Sequence, residues 1–369
     1  MTELTIDSLC GNAQVIVTCG TGGVGKTSVA AALGVHAAQL GRRVCVITID
    51  PAKRLADAIG LTNDLGNEPQ QVKTDSIGEL WVTMLDVRET FDNLVRETSP
   101  THERAREVME NSFYRNLSRS ISGTRDYIAG ERIYELCNDE RFDLIIVDTP
   151  PSRNALDFLE SPERLAQFLK HPIVRVLAAP GRGGLRFANA ALTPIIKIIS
   201  NIVGSDALTG VAAFLKAFDG MEKEFSRRAL SVSKTLRSTD TFFVVVTAPS
   251  PDALKEADHF VSELKRLGIT LRMIVANRMP PRFGTTTSSI EQLAASASSG
   301  DIALAHSLLA ELCIDADRAE AGIDGFLARA QQTFAEVPSC IATEMPSDIH
   351  DMESIVLLAQ QLAAPQPRQ

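Results

Sequence analysis

The sequence predicts an α/β fold, a mostly parallel, doubly wound sheet carrying an inserted helical subdomain. Three observations predict it. Short continuous apolar runs recur along the 369 residues, and strands of that kind are covered on both faces, as in parallel sheets. Segments of helical period separate them. The carboxyl ends of four runs carry Thr18, Asp50, Asp148 and Asn277, and open α/β sheets bind ligands at the carboxyl ends of their strands.

The first strand is Gln14 to Thr18, short and rich in β-branched residues. Gly20-Thr21-Gly22-Gly23-Val24-Gly25-Lys26-Thr27 follows and fits G-x-x-x-x-G-K-[ST]. Next come Ser28 to Leu40, an Ala-rich helical pattern that Gly41 stops. Strand, glycine loop and helix together make a phosphate cradle. Glycines let successive backbone N–H groups turn inward on phosphate oxygens, and the helix N-terminus adds positive potential. In that loop Lys26 reaches the β- and γ-phosphates, and the Thr27 hydroxyl can ligate magnesium.

Further strands are predicted at Arg43 to Ile49, Glu79 to Leu85, Asp143 to Val147, Thr241 to Thr247, Leu271 to Ala276 and Cys340 to Thr343. A helix is predicted from Pro251 to Gly268, with Ser250 as cap and Pro251 at the first helical position. Two stretches are too long for simple crossovers and mostly helical in pattern. Arg88 to Cys137 is one. The other runs from Ser161 to about Asp240 and contains the break Pro180-Gly-Arg-Gly-Gly-Leu185. They read as helical insertions, at about 88–137 and 161–240, on a single domain spanning 1–369. The Ser/Ala-rich stretch Thr287 to Gly300 precedes more helix, and residues 363–369 are expected to be a disordered tail.

Composition narrows the setting. A net charge of -9 argues against general nucleic-acid binding. The six cysteines are scattered with no C-x-x-C pair, so neither a disulfide framework nor a zinc site is expected. Met1 to Cys10 has no apolar core flanked by basic residues, so no secretory signal is expected. Phe187 to Phe218 is the most apolar region, but Lys197, Asp206 and Lys216 interrupt it. A cytoplasmic protein is expected, with peripheral membrane association left open.

The chemistry-bearing residues form one constellation. Asp148 ends a strand and precedes Thr149-Pro-Pro-Ser152. A carboxylate there can hold a water on magnesium, and the bland alternative is a turn cap. Asp50, in Ile49-Asp50-Pro51-Ala52-Lys53-Arg54, can orient the attacking water, or simply shape a turn before proline.

With these segments assembled, T-C-G-T-G-G-V-G-K-T-S, I-D-P-A-K-R-L-A-D-A and V-D-T-P-P-S-R-N-A-L, the chain resembles the arsenical-pump and tail-anchored-protein-targeting (ArsA-type) ATPases. It is particularly similar to their actinobacterial branch. The resemblance spans about residues 13–360 and includes the V-A-N-R segment at Asn277 and Arg278. It implies a deviant-Walker phosphate-loop NTPase that hydrolyses ATP with magnesium in a nucleotide-gated dimer. It implies nucleotide binding by Gly20, Thr21, Gly22, Gly23, Val24, Gly25, Lys26, Thr27 and Ser28. Lys26 and Asp50 would be catalytic, Thr27 would ligate magnesium, and Asp148 would act through a magnesium-bound water. Asn277 and Arg278 would lie at the adenine, with the Met345-Pro346 loop against the base; a strand-ending turn is the alternative for Asn277.

Three departures from the family pattern stand out. Thr21 occupies the place of the family's signature lysine, which crosses the dimer to the partner's nucleotide. The chain is therefore expected either to pair with a lysine-bearing paralogue or, as a homodimer, to be slow. Arg153-Asn154 stands where Gly-His is usual, and the zinc-binding C-x-x-C of the eukaryotic members is absent. The apolar stretches Leu192 to Val203 and Val211 to Phe218 read either as a buried helical core or as a groove for a hydrophobic or membrane-protein client. Three function classes remain: such an ATPase, the motor of an arsenite-type anion efflux pump, and a non-catalytic nucleotide-binding regulatory subunit. Metalloid sensing would want clustered thiols, for which Cys137 and Cys313 are the candidates remote from the sheet motifs.

Overall fold

The computed structural model describes residues 5–50, 54–61, 65–111, 114, 122–150, 157–170, 214, 217, 221–282, 302–334 and 337–364. The chain runs α1 (Ile6–Asn12), β1 (Val15–Cys19), α2 (Lys26–Gln39), β2 (Arg43–Thr48), α3 (Arg54–Ala58), β3 (Gln70–Val72), β4 (Glu79–Met84), α4 (Val87–Thr98), α5 (His102–Glu110), α6 (Ser122–Cys137), β5 (Leu144–Asp148), α7 (Asp157–Lys170), α8 (Glu222–Leu236), β6 (Thr241–Thr247), α9 (Pro251–Arg266), β7 (Leu271–Met279), α10 (Ile302–Thr333), β8 (Ser339–Thr343) and α11 (Met352–Ala363). The fold class read from the sequence is the one observed.

Eight strands form one sheet in the order β3-β4-β2-β5-β1-β6-β7-β8. Every pairing is parallel except β3 against β4. The apolar runs are continuous because both faces of the sheet are covered. Val15, Val17, Ile47, Val147 and Val245 face one side, packed with Leu94 of α4, Ile128 of α6, Leu159 of α7, Phe225 of α8 and Phe260 of α9. Ile16, Val46, Ile146 and Val244 face the other, packed with Leu9 of α1, Leu33 of α2, Leu55 of α3 and Leu358 of α11. Each such fully buried side chain contributes about 1.5–3 kcal/mol of transfer free energy. The long helices after β4 and β5 thus complete one of the two cores rather than standing off the sheet.

Local chemistry explains the ends of the elements. In α9 the Ser250 hydroxyl accepts the Ala253 N–H at 3.2 Å, with Pro251 in the first turn where no N–H is missed. In α11 Asp351 and Ser354 form a reciprocal capping box. β1 and β5 each begin and end one residue later than the sequence suggested, and β7 runs on to Met279 through a bulge between Ala276 and Met279. Sequence periodicity did not reveal α1, α3 or the three-residue edge strand β3. Ala363, expected in a tail, still belongs to α11, and Ala364 caps it.

Several sequence expectations concern residues outside those described: the Pro180–Leu185 break, Leu192 to Val203, Thr287 to Gly300, Pro51 to Lys53, Arg153-Asn154 and residues 365–369. Of the second apolar stretch only Phe214 and Ala217 are described, and both are buried. Among the described residues, no helix is long and apolar enough to cross a membrane.

Candidate functional site

The loop joining β1 to α2 lies at the carboxyl edge of the sheet, where β1 sits between β5 and β6. Its backbone demands glycine at two places. Gly20 has φ 149°, and a Cβ there would stand 2.2 Å from the Val246 carbonyl oxygen. Gly25 is left-handed at φ 88°, caps α2, and a Cβ there would stand 2.2 Å from Asn277 Nδ2. Gly22 and Gly23 are exposed on the rim, and Val24 is buried beneath them. Lys26 opens α2 and is nearly buried, its Nζ donating to the Thr21 carbonyl at 2.7 Å. Thr27 and Ser28, in the same first turn, are half-buried. A cleft of about 520 Å³ opens beside the loop, lined in part by Thr21, Gly22, Gly23, Ser250, Asp252 and Glu256. A helix start, a glycine-rich turn and a buried ammonium are the groups from which anion sites are built.

Asp148 is the floor of this site. It is 1% exposed, and its Oδ2 accepts the Thr27 hydroxyl at 2.8 Å and the Thr48 hydroxyl at 3.0 Å. Parallel register brings them together: Asp148 lies level with Thr48 on β2 and Thr18 on β1. Thr18 and Thr149 lace the same strand ends, the first donating to the Val147 carbonyl at 3.1 Å and the second to the Thr18 carbonyl at 2.7 Å. Burial pushes the Asp148 carboxyl up to about 6, against the lowering effect of the Thr27 and Thr48 hydrogen bonds and of Lys26. Its Oδ1 is buried with no hydrogen-bond partner.

That orphaned oxygen is what a hard cation would satisfy. Thr27 and Asp148 supply oxygen alone, which suits magnesium. Among the described residues, no cluster of three or more His, Cys, Asp or Glu is built to hold a metal. An ion here would therefore need oxygens from a ligand or from water. The described thiols offer no soft alternative, because burial pushes Cys10, Cys19, Cys45, Cys137 and Cys340 up to about 12. Cys313 lies in α10, where its side chain is outside those described.

Asp148 also makes the site pH-dependent. Its folded pKa is raised, so the metal-free fold gains a proton that the unfolded chain lacks between the ordinary carboxylate range and about 6. That contribution to stability is lost as pH rises through about 6, and a cation must displace the proton below it. For the magnesium-bound nucleotide that the sequence resemblance implies, the expected result is a magnesium requirement for ADP binding that rises, by up to about tenfold per pH unit, below about 6 relative to Asp148→Asn. Magnesium titrations of fluorescent-ADP binding from pH 5 to 8 measure it; equal slopes in the two proteins would clear Asp148 of the role.

Asp50 follows β2 and is nearly buried, its N–H donating to the Thr48 hydroxyl at 3.2 Å. Both backbone polar groups of the preceding residue are held: the Ile49 N–H donates to the Asp148 carbonyl at 2.9 Å, and Arg125 Nη2 donates to the Ile49 carbonyl at 2.7 Å. At the other side of the loop, Asn277 Nδ2 donates to the Val24 carbonyl at 2.9 Å, so its amide braces the loop. The β7 bulge produces this aim. Arg278 within it is left-handed at φ 56° and exposed. The Glu344 N–H donates to the Met279 carbonyl at 2.8 Å, which ties the start of the Met345-Pro346 loop to the end of β7, and Pro346 is exposed.

The sequence-predicted residues Lys26, Thr27, Asp148 and Asn277 are thus in direct hydrogen bonding with the loop or with one another, and Asp50 stands two residues past β2. Sequence reasoning missed Thr48, Thr149 and Arg125. Thr48 and Thr149 had a signal, a hydroxyl residue two before Asp50 and one directly after Asp148. Arg125 had none.

Comparison with known proteins places these features in context. The family model described as anion-transporting ATPase matches residues 13–295. An ATPase ASNA1 homolog of Entamoeba dispar is 26% identical over 268 residues, 71% of this chain and 75% of that protein. ATPase GET3 of Malassezia globosa is 25% identical over 264 residues, 71% of this chain and 72% of that protein. ATPase GET3B of Arabidopsis thaliana is 28% identical over 289 residues, 71% of this chain and 63% of that protein.

Proposed function

Since the chain belongs to the anion-transporting ATPase family, we propose that it is an ATP-hydrolysing dimeric switch. In this reading it couples nucleotide state to a hydrophobic or membrane-associated partner, as one half of a heterodimer with a lysine-bearing paralogue. In this reading the chain belongs to the actinobacterial branch, a reading supported by the motif segments. The observation that carries the reading is the cluster at one sheet edge: Lys26 under the glycine loop, Thr27 and Thr48 on Asp148, and Asp50 just beyond β2.

Each residue then has a task. The loop N–H groups and Lys26 bind the β- and γ-phosphates and neutralise charge as it shifts to the leaving oxygen. Thr27 and, through a water, Asp148 would hold magnesium, which supplies charge neutralisation at those phosphates. Asp50 orients the attacking water at its carboxylate. Little covalent work is asked of the protein beyond this positioning. Asn277 braces the loop, and with Arg278 and Pro346 forms the side on which the base would lie. We read residues 1–369 as one ATPase domain whose helices at about 88–137 and 161–240 carry the partner-binding function, with the ATP supply placing it in the cytoplasm.

Thr21 decides the dimer. Its backbone carbonyl, not its side chain, takes the Lys26 ammonium, so a substitution there leaves that bond in place. Thr21→Lys is expected to raise turnover of the isolated chain by about 10- to 10³-fold, since a cation reaching a partner's phosphates acts as an arginine finger does. Steady-state phosphate release at saturating magnesium–ATP measures it, and an unchanged rate would refute the asymmetric-dimer reading. Copurification from the native cell then shows whether a lysine-bearing paralogue travels with the chain. Thr21 also favours a second reading, a non-catalytic regulatory subunit, which predicts tight ATP binding with no phosphate release even when the paralogue is added. A metalloid-sensing pump motor has less support, because Cys10, Cys19, Cys45 and Cys340 are buried, Cys137 is half-buried, and burial pushes all five thiols up to about 12.

A further inference from the structure

The Ile49 carbonyl lies past the end of β2, where the strand ladder no longer supplies a donor. The preceding Thr48 carbonyl is still taken by the Leu85 N–H at 3.0 Å. The next is taken by Arg125, from the first turn of α6. We propose that Arg125 is a positioning residue for hydrolysis: through its bond to the Ile49 carbonyl, the helical layer sets where Asp50 stands. The inference rests on the reading of Asp50 as the residue that orients water.

Three observations support it. The Ile49–Asp50 peptide has an anchor for each of its polar groups, the Thr48 hydroxyl for the Asp50 N–H and Arg125 for the Ile49 C=O, and the Asp148 carbonyl takes the Ile49 N–H just before it. The Thr48 and Asp148 anchors belong to the sheet and are rigid, so Arg125 is the anchor that can respond to the helices. Second, α6 packs against α4, α7 and α8, and its buried Glu131 is held by Arg228 of α8 at 2.5 Å, which also reaches Glu97 of α4 at 3.1 Å. A displacement of those helices therefore reaches Arg125 through a stiff element. Third, the first turn of α6 borders the start of α7, against which α6 packs: burial, and after it the like charge of Asp157, push the Asp126 carboxyl up to about 6. That turn thus meets both the segment entering Asp50, through Arg125, and the start of α7.

A guanidinium suits this task because it keeps its charge and offers several N–H donors in a planar fork. A misplacement of the water-orienting carboxylate by about 1 Å costs on the order of 10²-fold in rate. Arg125→Ala is therefore expected to lower kcat by about 10- to 10²-fold with KM for ATP and ADP affinity within about twofold of wild type. Arg125→Lys, with a single donor nitrogen on a shorter reach, is expected to recover part of the loss, and Arg125→Ala in an Asp50→Asn background is expected to cost nothing further.

The test is single-turnover phosphate release by the full chain for Arg125→Ala, Arg125→Lys, Asp50→Asn and the double variant. It is paired with hydrogen exchange over residues 45–58, which reads the segment whatever the basal rate. Faster exchange there, with α9 unchanged, is the expected companion result. An unchanged kcat in Arg125→Ala beside an inactive Asp50→Asn overturns the inference alone. Unchanged exchange over 45–58 overturns it too, as does a loss of ADP affinity equal to the loss of kcat without rescue by lysine. A wild-type rate in Asp50→Asn overturns the reading of Asp50 on which it rests.

Discussion

Asp50→Asn is expected to leave ATP bound and to lower turnover by about 10²- to 10³-fold, the range seen when one positioned acceptor or charge-stabilising group is removed from a preorganised site. The substitution is nearly isosteric and keeps the backbone anchors, because the Asp50 N–H bond to Thr48 and the two bonds of the Ile49 backbone do not involve its carboxylate. What changes is the acceptor facing the water, where an amide presents one oxygen and a donor instead of a charged pair of oxygens. Stopped-flow binding of a fluorescent ATP analogue and phosphate release in the same preparation separate binding from chemistry. Hydrolysis at the wild-type rate would remove Asp50 from the mechanism.

Lys26→Ala is expected to act earlier, on binding as well as turnover. The ammonium is nearly buried and spans to the Thr21 carbonyl, so the loop is preformed around a fixed charge rather than assembled by the ligand. In the proposed reading its removal takes away the charge that would meet the β- and γ-phosphates, and a hydrogen bond to an ionised partner contributes about 1.5–3 kcal/mol, or about 10- to 10²-fold in affinity. Because the same charge stabilises the transition state, turnover should fall below detection while the fold persists. Isothermal titration with magnesium–ADP and a thermal melt measure the two. An affinity within twofold of wild type would show that the glycine loop and helix terminus hold the phosphates without it.

Much of the fold was legible because its signals are local. A parallel sheet covered on both faces leaves strands such as Thr241 to Thr247 apolar at every position, and that needs no partner to be seen. The phosphate loop was legible for the same reason, as its glycines answer to backbone geometry within a few residues. β3, with the sequence Gln-Gln-Val, carries no apolar run and exists because β4 offers it an edge.

The site divides along the same line. The residue types and spacing at Gly20 to Thr27, Asp50 and Asp148 by themselves determined where a phosphate site is expected, at the carboxyl end of a parallel sheet, since that chemistry calls for those groups in that order. Only the tertiary structure decided how they meet. Strand register sets Thr48, and the first turn of α2 sets Thr27, on one oxygen of Asp148, while the other has no hydrogen-bond partner. A bulge turns Asn277 onto a carbonyl 253 positions away in the chain. A helix delivers Arg125 to the peptide before Asp50. Contacts made across such separations depend on where whole elements pack, and no local pattern in the sequence records that.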